Sequence, residues 1–102
     1  GPGVRLGDNN VLRPLTHIGH DTAIGSHTFI APGVVVAGSC AIGDLCYLGI
    51  GATMIDRLRV GSETLLAAGA VLTTDTPSCS QFCGNPARRT GEHPETGILM
   101  LG

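Results

Sequence analysis

The apolar positions of this chain recur every six residues, a spacing typical of neither an α-helix nor a plain β-strand. When the sequence is divided into blocks of six from Leu6, the first residue of all twelve blocks is aliphatic or methionine. The fifth residue is small or β-branched in nearly every block, which predicts that positions one and five face a common interior. The first-position column consists of Leu6, Leu12, Ile18, Ile24, Ile30, Val36, Ile42, Leu48, Met54, Val60, Leu66 and Leu72.

A period of six fits a strand of a few residues followed by a bend, repeated along the chain. Three blocks would form one triangular coil of eighteen residues, and successive coils would stack at the ~4.8 Å spacing of neighbouring strands. The second position is mostly glycine or alanine, and we expect these residues to form the tight corners. Twelve blocks therefore predict an all-β fold, a parallel β-helix of four triangular coils about 19 Å tall.

The period divides the chain into three segments. Residues 6–76 form the predicted β-helix, and residues 1–5 lead into it. Gly1-Pro2 resembles the scar left by protease cleavage of a tag, so we exclude it from the fold. Residues 77–102 lack the period, and we predict an exit loop followed by an irregular C-terminal tail.

The composition agrees with a fold built from corners and small stacked side chains. Of 102 residues, 16 are glycine, whereas aromatic residues make up 3% and charged residues 14%. A net charge of −2, with six Lys and Arg residues, provides no basic surface for nucleic acid. No apolar run approaches the ~20 residues of a membrane span. We therefore expect neither a nucleic-acid nor a membrane partner.

The four cysteines indicate a reducing compartment, because no secretory signal peptide accompanies them. We accordingly expect a cytoplasmic protein. Cys40 and Cys46 occupy fifth positions, where they would be buried packing thiols. Cys79 and Cys83 do not have Cys-x-x-Cys spacing, so the sequence predicts neither a zinc site nor a redox pair, and no metal is expected.

Five short motifs carry a resemblance to a known family. They are Ile18-Gly19-His20-Asp21, FIAPGVVV at 29–36, GIGAT at 49–53, AAGAV at 67–71 and GNPARR at 84–89. Together with the six-residue period, they make the chain similar to the hexapeptide-repeat family, whose members form a left-handed parallel β-helix. Within that family the chain most resembles acetyl-CoA-dependent acetyltransferases of the sialic acid O-acetyltransferase and nucleotide-amino-sugar N-acetyltransferase branch. The resemblance covers roughly residues 6–89.

The resemblance implies transfer of an acetyl group from acetyl-CoA to an amine or hydroxyl of a sugar, either nucleotide-linked or of the sialic acid type. It also implies a homotrimer with active sites in the grooves between subunits. Acyl transfer needs a base for the acceptor's proton and donors for the oxyanion of the thioester carbonyl. By resemblance, His20 is the base and Asp21 orients its imidazole. A backbone N–H near Gly38 would stabilise the oxyanion.

Candidate coenzyme-binding residues are of two kinds. Small residues would let the pantetheine arm approach the backbone, and arginines after a rigid turn would suit the phosphates. The repeat alone would also place small residues at corners, and the turn could simply cap the β-helix. The small candidates are Gly38, Gly49, Gly51, Ala67, Ala68 and Gly69, and the turn candidates are Asn85, Pro86, Arg88 and Arg89.

The remaining histidines carry weaker predictions. His17 is expected at the surface, and His93 in the exposed tail. His27 is also outward and close to His20 in sequence, so it is an open candidate for the same cleft.

Two other functions are compatible with a β-helix of this type. A γ-class carbonic anhydrase needs zinc held by three histidines, two of them five residues apart in one chain. Here the residue five after His20 is Gly25, and the residue five before His27 is Thr22, so that ligand pair is absent. A non-catalytic trimerisation or scaffold module stays open.

Overall fold

The chain folds as a parallel β-solenoid without helices over its described part. A computed structural model describes residues 2–92, the last two by their backbone only. None of these residues belongs to a helix of the length and apolar character needed to cross a membrane. The strands are β1 Arg5–Leu6, β2 Val11–Leu12, β3 His17–Ile18, β4 Ala23–Ile24, β5 Phe29–Ile30, β6 Val35–Val36, β7 Ala41–Ile42, β8 Tyr47–Leu48, β9 Thr53–Met54, β10 Arg59–Val60, β11 Leu65–Leu66, β12 Val71–Leu72, β13 Ser80–Gly84 and β14 Ala87–Glu92.

Every third strand pairs in parallel with the next, which confirms the predicted coil of eighteen residues. Arg5 pairs with Ala23, and Val11 pairs with Phe29. Sheet A contains β1, β4, β7 and β10, and sheet C contains β3, β6, β9 and β12. Sheet B contains β2, β5, β8 and β11, and is extended by β13 and β14. The three sheets form the faces of a triangular prism, as the period predicts.

The interior consists of the first-position and fifth-position columns. First-position residues are buried from Ile18 onward, and fifth-position residues from Thr22 onward. In the first coil, Leu6 and Leu12 keep 49% and 39% exposure because no further coil of the described chain covers them. The predicted inward positions are therefore confirmed from Ile18 onward, through the last regular coil.

In eleven of the twelve blocks the left-handed corner residue is at the fourth position, not at the glycine-rich second position. Apart from Gly84 in the terminal hairpin, the residues with left-handed φ form three columns: the C–A corner joins sheet C to sheet A, the A–B corner joins A to B, and the B–C corner joins B to C. The columns are Gly3, Asp21, Ser39 and Arg57 at the C–A corner, Asn9, His27, Leu45, Glu63 and Cys79 at the A–B corner, and Leu15, Gly33, Gly51 and Gly69 at the B–C corner.

The expectation that second-position glycines form the corners is therefore wrong. They are not among the left-handed residues of the described chain. They are small because the next coil lies against them: a Cβ on Gly19 would stand 2.5 Å from the backbone nitrogen of Gly38 and 2.6 Å from the carbonyl carbon of Ala37. Second-position glycines thus permit coil stacking, whereas the fourth position supplies the turn.

Beyond the last regular coil, the chain forms a hairpin for which the six-residue period predicts no element. Strand β13 continues sheet B in parallel with β11, and β14 turns back antiparallel to β13 through the cis Asn85–Pro86 bond. Phe82 adds to the interior above Leu66, and Ala87 is also buried.

Candidate active site

His20 and Asp21 form a side-chain pair at the C–A corner. Consecutive residues of a strand point to opposite faces, so such a pair requires a bend. The bend is present: Asp21 has a φ of 56°, and its Oδ2 lies 3.2 Å from His20 Nδ1. The side chains are 64% and 69% exposed, so the pair is open to solvent and ligands.

The imidazole of His20 rests on the next coil. A Cβ on Gly38 would lie 2.6 Å from Nε2 and 2.8 Å from Cε1 of His20, so the ring covers the bare Cα of that glycine. The Ser39 N–H donates to the His20 carbonyl at 2.8 Å. The sequence-predicted neighbours His20 and Gly38 are therefore brought together.

Asp21 is held from the opposite side by the lead-in segment. Its N–H donates to the Pro2 carbonyl at 3.0 Å, so Pro2 takes part in the fold, contrary to its exclusion on the sequence. A Cβ on Gly3 would collide with Oδ1 of Asp21. Sequence reasoning missed this support, although Gly3 lies eighteen residues before Asp21 in the same corner column, which is the signal that would have found it.

The corners differ in how the third-position N–H groups are used. At the A–B corner, the N–H groups of Asp8, Ser26 and Asp44 donate to side chains one coil further on, at 2.9, 2.8 and 2.9 Å. At the C–A corner, the equivalent Gly38 N–H donates no hydrogen bond within residues 2–92. Asp56, which could accept it, instead lies 3.7 Å from Nε of Arg57. An unused donor therefore lies beside the His20 ring.

Most of the small coenzyme candidates gather at the B–C corner. A Cβ on either Gly51 or Gly69 would meet nothing within 4 Å, so the backbone there is accessible. The N–H groups of Ile50 and Ala68 also donate no hydrogen bond within the described chain. Among the predicted residues, Gly49, Gly51, Ala67, Ala68 and Gly69 belong to this corner, whereas Gly38 belongs to the C–A corner.

The hairpin turn extends the B–C corner, but its arginines diverge. Leu66 pairs with Phe82, so the turn at Asn85 and Pro86 follows the same direction as the chain after Leu66. In β14, Arg88 is opposite Cys83, whereas Arg89 is opposite Phe82. Since neighbouring strand positions point to opposite faces, these two guanidinium groups do not form a single cluster on one face.

The other histidines lie apart from the pair. His27 is exposed at the A–B corner, with a φ of 58°, so within one chain it does not share the corner of His20. His17 is exposed on the outer side of sheet C, as predicted, and His93 lies outside the described residues. Within residues 2–92, no cluster of three or more His, Cys, Asp or Glu side chains has the arrangement of a metal site.

The two inward cysteines are buried free thiols, as predicted. Burial raises the pKa of Cys46 to about 11, and burial also raises the pKa of Cys40. Their Sγ atoms face carbonyls of the next coil, Ile55 for Cys40 and Gly61 for Cys46, each at 3.3 Å. At neutral pH these thiols are therefore protonated packing groups rather than nucleophiles.

The solenoid and its corners define a hexapeptide-repeat protein. Residues 3–38 match the bacterial transferase hexapeptide family (six repeats). This match agrees with the resemblance of the sequence motifs to the hexapeptide-repeat family.

One relative is the acyl-[acyl-carrier-protein]–UDP-N-acetylglucosamine O-acyltransferase of Burkholderia mallei, 32% identical over 97 residues. The match covers 95% of this chain and 37% of that protein, so the chain spans little more than a third of the relative's length.

Two solved structures are also similar to this chain. The acetyltransferase domain of PglB from Neisseria gonorrhoeae is 31% identical, with a TM-score of 0.85, and the match covers 86% of this chain and 43% of that one. PerB from Caulobacter crescentus, solved with CoA and GDP-perosamine, is 28% identical with a TM-score of 0.72. That match covers 89% of this chain and 53% of PerB.

Proposed function

We propose that the chain is the catalytic β-helix of an acetyl-CoA-dependent acetyltransferase acting on an amine or hydroxyl of a sugar. The observation that carries the proposal is the exposed His20–Asp21 pair. The His20 ring lies over Gly38, whose N–H donates no hydrogen bond within residues 2–92. Base, orienting carboxylate and oxyanion donor are the three groups that acyl transfer from a thioester requires, and here they share one corner.

The orientation of His20 supports a different role for each of its two nitrogens. Nδ1 faces the Asp21 carboxylate, which favours a proton on Nδ1 and leaves Nε2 as the basic nitrogen. Nε2 takes the proton of the acceptor N–H or O–H as that atom attacks the thioester carbonyl. The Gly38 N–H stabilises the oxyanion of the tetrahedral intermediate. Collapse of the intermediate breaks the C–S bond, and the proton held by His20 passes to the departing CoA thiolate.

The B–C corner suits the pantetheine arm of the coenzyme. The open backbone at Gly51 and Gly69 allows close approach, and the N–H groups of Ile50 and Ala68 can donate to the amide carbonyls of the arm. The turn at Asn85–Pro86 continues this surface, and Arg88 would approach the phosphates. PerB was solved with CoA, which supports a coenzyme of this class.

The separation of the two corners supports a homotrimer. Within one chain, His20 and the B–C corner lie at opposite edges of sheet C, so one prism alone does not bring base and coenzyme together. Grooves between neighbouring prisms would bring the C–A corner of one copy next to the B–C corner of another. The acceptor is a nucleotide-linked or sialic-type sugar, and the UDP-N-acetylglucosamine and GDP-perosamine named for two similar proteins favour the nucleotide-linked class.

The test combines binding and turnover. Acetyl-CoA should raise the melting temperature of the protein, because a ligand of the native state stabilises it. Release of free thiol should follow when UDP- or GDP-linked amino sugars, or sialic acid, are supplied in turn. His20→Ala should abolish transfer while keeping coenzyme binding, whereas the matched variant His17→Ala, also exposed, should keep both. Turnover by His20→Ala, or no thermal shift at millimolar acetyl-CoA, would contradict the proposal and favour a non-catalytic scaffold module.

A further inference from the structure

The basic residues of this chain are divided between its two ends. All six are arginines, and residues 14–56 contain none of them. Arg5 and Arg13 lie at the first strands of sheets A and B, whereas the other four lie close to β10 or in the terminal hairpin. We infer that Arg5 binds an anionic group of the acceptor, so that the sugar substrate carries phosphate or carboxylate. The inference rests on the proposed function and deepens it by naming the charge of its acceptor.

Arg5 points outward from sheet A. It precedes the inward residue of β1, and neighbouring strand residues point to opposite faces. It begins an outward column that continues through Ala23 and Ala41 to Arg59. Arg5 is exposed, and its guanidinium group forms no ion pair with the side chains that the structure describes. Its charge is therefore available to a ligand.

The proposed base lies one coil from Arg5. Ala23, the strand partner of Arg5, follows Asp21 by two residues, and the Arg5 N–H donates to the carbonyl of Thr22 at 3.0 Å. Because neighbouring strands are ~4.8 Å apart, Arg5 is displaced by about that distance from the corner of His20, toward the N-terminal end of the prism. A long and flexible side chain at this position can reach a substrate held at His20.

The coenzyme of the proposed function extends from His20 in the opposite direction. Asp21 is the second residue of its corner column, whereas Gly51 and Gly69, where the backbone is open, are the third and fourth of theirs. Arg88 lies further on, in the terminal hairpin. A pantetheine arm along this path occupies the C-terminal part of the groove. The acceptor must reach the same thioester carbonyl, and the first coil is the approach that the coenzyme leaves open.

Arg13 adds a second guanidinium group in a trimer of parallel prisms. It is exposed and lies two residues before Leu15, the first residue of the B–C corner column. The proposed grooves place the B–C corner of one copy next to the C–A corner of another, so Arg13 of the neighbouring copy would be level with Arg5. Guanidinium groups bind phosphate and carboxylate through two parallel hydrogen bonds, which suits an acceptor with several anionic oxygens. Along the middle coils an anion would meet no arginine or lysine.

The variant Arg5→Gln tests the inference in the full chain. Kinetics are measured with acetyl-CoA and with the UDP-linked amino sugar, GDP-linked amino sugar or sialic acid that gives the fastest release of thiol. The KM for that acceptor should rise about tenfold, because a hydrogen bond to a charged group is lost. The KM for acetyl-CoA should not change. Arg5→Lys keeps the charge and should recover part of the loss. Since Ala23 and Ala41 occupy the same column, the fold does not require a guanidinium group there.

The matched control is Arg59→Gln. Arg59 lies in the same outward column as Arg5, three strand spacings or about 14 Å away. Its replacement removes the same charge from the same sheet, but the KM for the acceptor should stay at the wild-type value. The inference is wrong if Arg5→Gln has the acceptor KM of wild type, or if Arg59→Gln raises that KM as much as Arg5→Gln does.

A pair of small acceptors tests the charge itself. The 1-phosphate and the methyl glycoside of one amino sugar share the nucleophile and differ in the anionic group. Arg5→Gln should lower kcat/KM for the 1-phosphate about tenfold and leave that for the methyl glycoside unchanged. For sialic acid, the matched uncharged acceptor is its methyl ester. An equal loss with the charged and the uncharged acceptor would contradict a role for Arg5 in binding the anion.

Binding without turnover separates this inference from the proposed activity. UDP and GDP contain the diphosphate but no sugar to acetylate, and saturating CoA keeps them from the coenzyme site. Each should raise the melting temperature of wild type more than that of Arg5→Gln. If this difference is seen but no acceptor is acetylated, the anion site stands and the proposed activity fails. If transfer occurs at the same KM with and without Arg5, the activity stands and the anion site fails.

Discussion

His20 and Gly38 are one coil apart, and the ring of the histidine lies over the Cα of the glycine. A Cβ at residue 38 would come within 2.6 Å of Nε2, a distance that real Cβ contacts do not show. Glycine at position 38 therefore leaves room for the imidazole. Gly33 differs, because a Cβ there would meet only atoms at 3.8 Å and beyond.

Gly38→Ala should displace the His20 ring and lower kcat. Misplacement of a catalytic group by about 1 Å can reduce the rate on the order of 10²-fold, and a loss of that order is expected. Thermal shift with acetyl-CoA should show that coenzyme binding is kept, because the B–C corner is untouched. The control is Ala37→Gly, which alters the same turn without adding an atom beside the ring. Equal kcat for Gly38→Ala and wild type would show that the activity of His20 does not depend on contact between its ring and Gly38.

Asp21→Asn should slow the reaction less than loss of His20. Asparagine tolerates the left-handed φ of 56°, so the bend is kept and only the charge is removed. Both partners are exposed, and an exposed ion pair is worth at most about 1 kcal/mol, which corresponds to about a fivefold fall in kcat. Steady-state kinetics would measure the change, with Ser39→Asn at the next left-handed position as control. A loss as large as that of His20→Ala would mean that Asp21 does more than orient the ring.

The buried thiols should make the protein lose stability in alkali. Burial raises the pKa of Cys46 to about 11 in the fold, above the ordinary value of 9.0 for a cysteine thiol, so the unfolded chain releases this proton first. Between pH 9 and pH 11 the native state binds more protons than the unfolded state, and the free energy of unfolding falls as pH rises. Below pH 9 this stability is fully present. Denaturant unfolding at several pH values should show the decline.

Cys46→Thr should reduce that decline without weakening the core at neutral pH. Thr28 and Thr64 occupy the same inward column, and Thr28 Oγ1 donates to the carbonyl of Gly43 at 3.2 Å, as Cys46 Sγ does to that of Gly61. Cys40 retains part of the effect, because burial also raises its pKa. An identical pH profile for the variant and wild type would exclude Cys46 as the source.

Leu15 should be a site of strain that glycine relieves. Its φ is 66°, its side chain is 88% exposed, and the residues that follow it in the B–C column are Gly33, Gly51 and Gly69. A left-handed residue with a Cβ costs about 1–2 kcal/mol. Leu15→Gly should therefore be more stable than Leu15→Ala by about 1 kcal/mol, since both variants lose the exposed side chain but only glycine loses the Cβ. Comparison of unfolding midpoints would measure the difference, and equal midpoints would show that no strain is present.

The repeat could be predicted from the sequence because each coil obeys the same rule. Inward side chains at positions one and five must fit a shared interior, so their column is visible without any structure. The location of the left-handed turn was not predictable in this way. Asp21, His27 and Leu45 are not glycines, yet all three take left-handed φ, because the hydrogen bonds of the neighbouring coil hold the turn. The glycines at the second position of the blocks reflect the close stacking of neighbouring coils, not the turns of the chain.

The His20–Asp21 pair could be predicted from the sequence, but the residues that support it could not. The His20–Asp21 motif marked the pair, whereas its contacts with Gly3 and Gly38 depend on residues one coil away in each direction. Such contacts appear in the sequence only after the chain is aligned at eighteen residues. The hairpin of β13 and β14 lies outside the six-residue repeat, so the period does not predict it. Its pairing depends on the burial of Phe82 and Ala87.

The uniform register of the coils has a consequence for how this scaffold changes in length. Since every strand pairs with the one eighteen residues away, removal or insertion of eighteen residues leaves each later side chain on its own face, one coil higher or lower. A change of six residues instead rotates everything that follows by one face. The axial distance between the corner of His20 and the open backbone at Gly51 and Gly69 is therefore adjustable only in steps of about 4.8 Å. If the proposed function holds, changing the reach between base and coenzyme therefore requires whole coils to be added or removed.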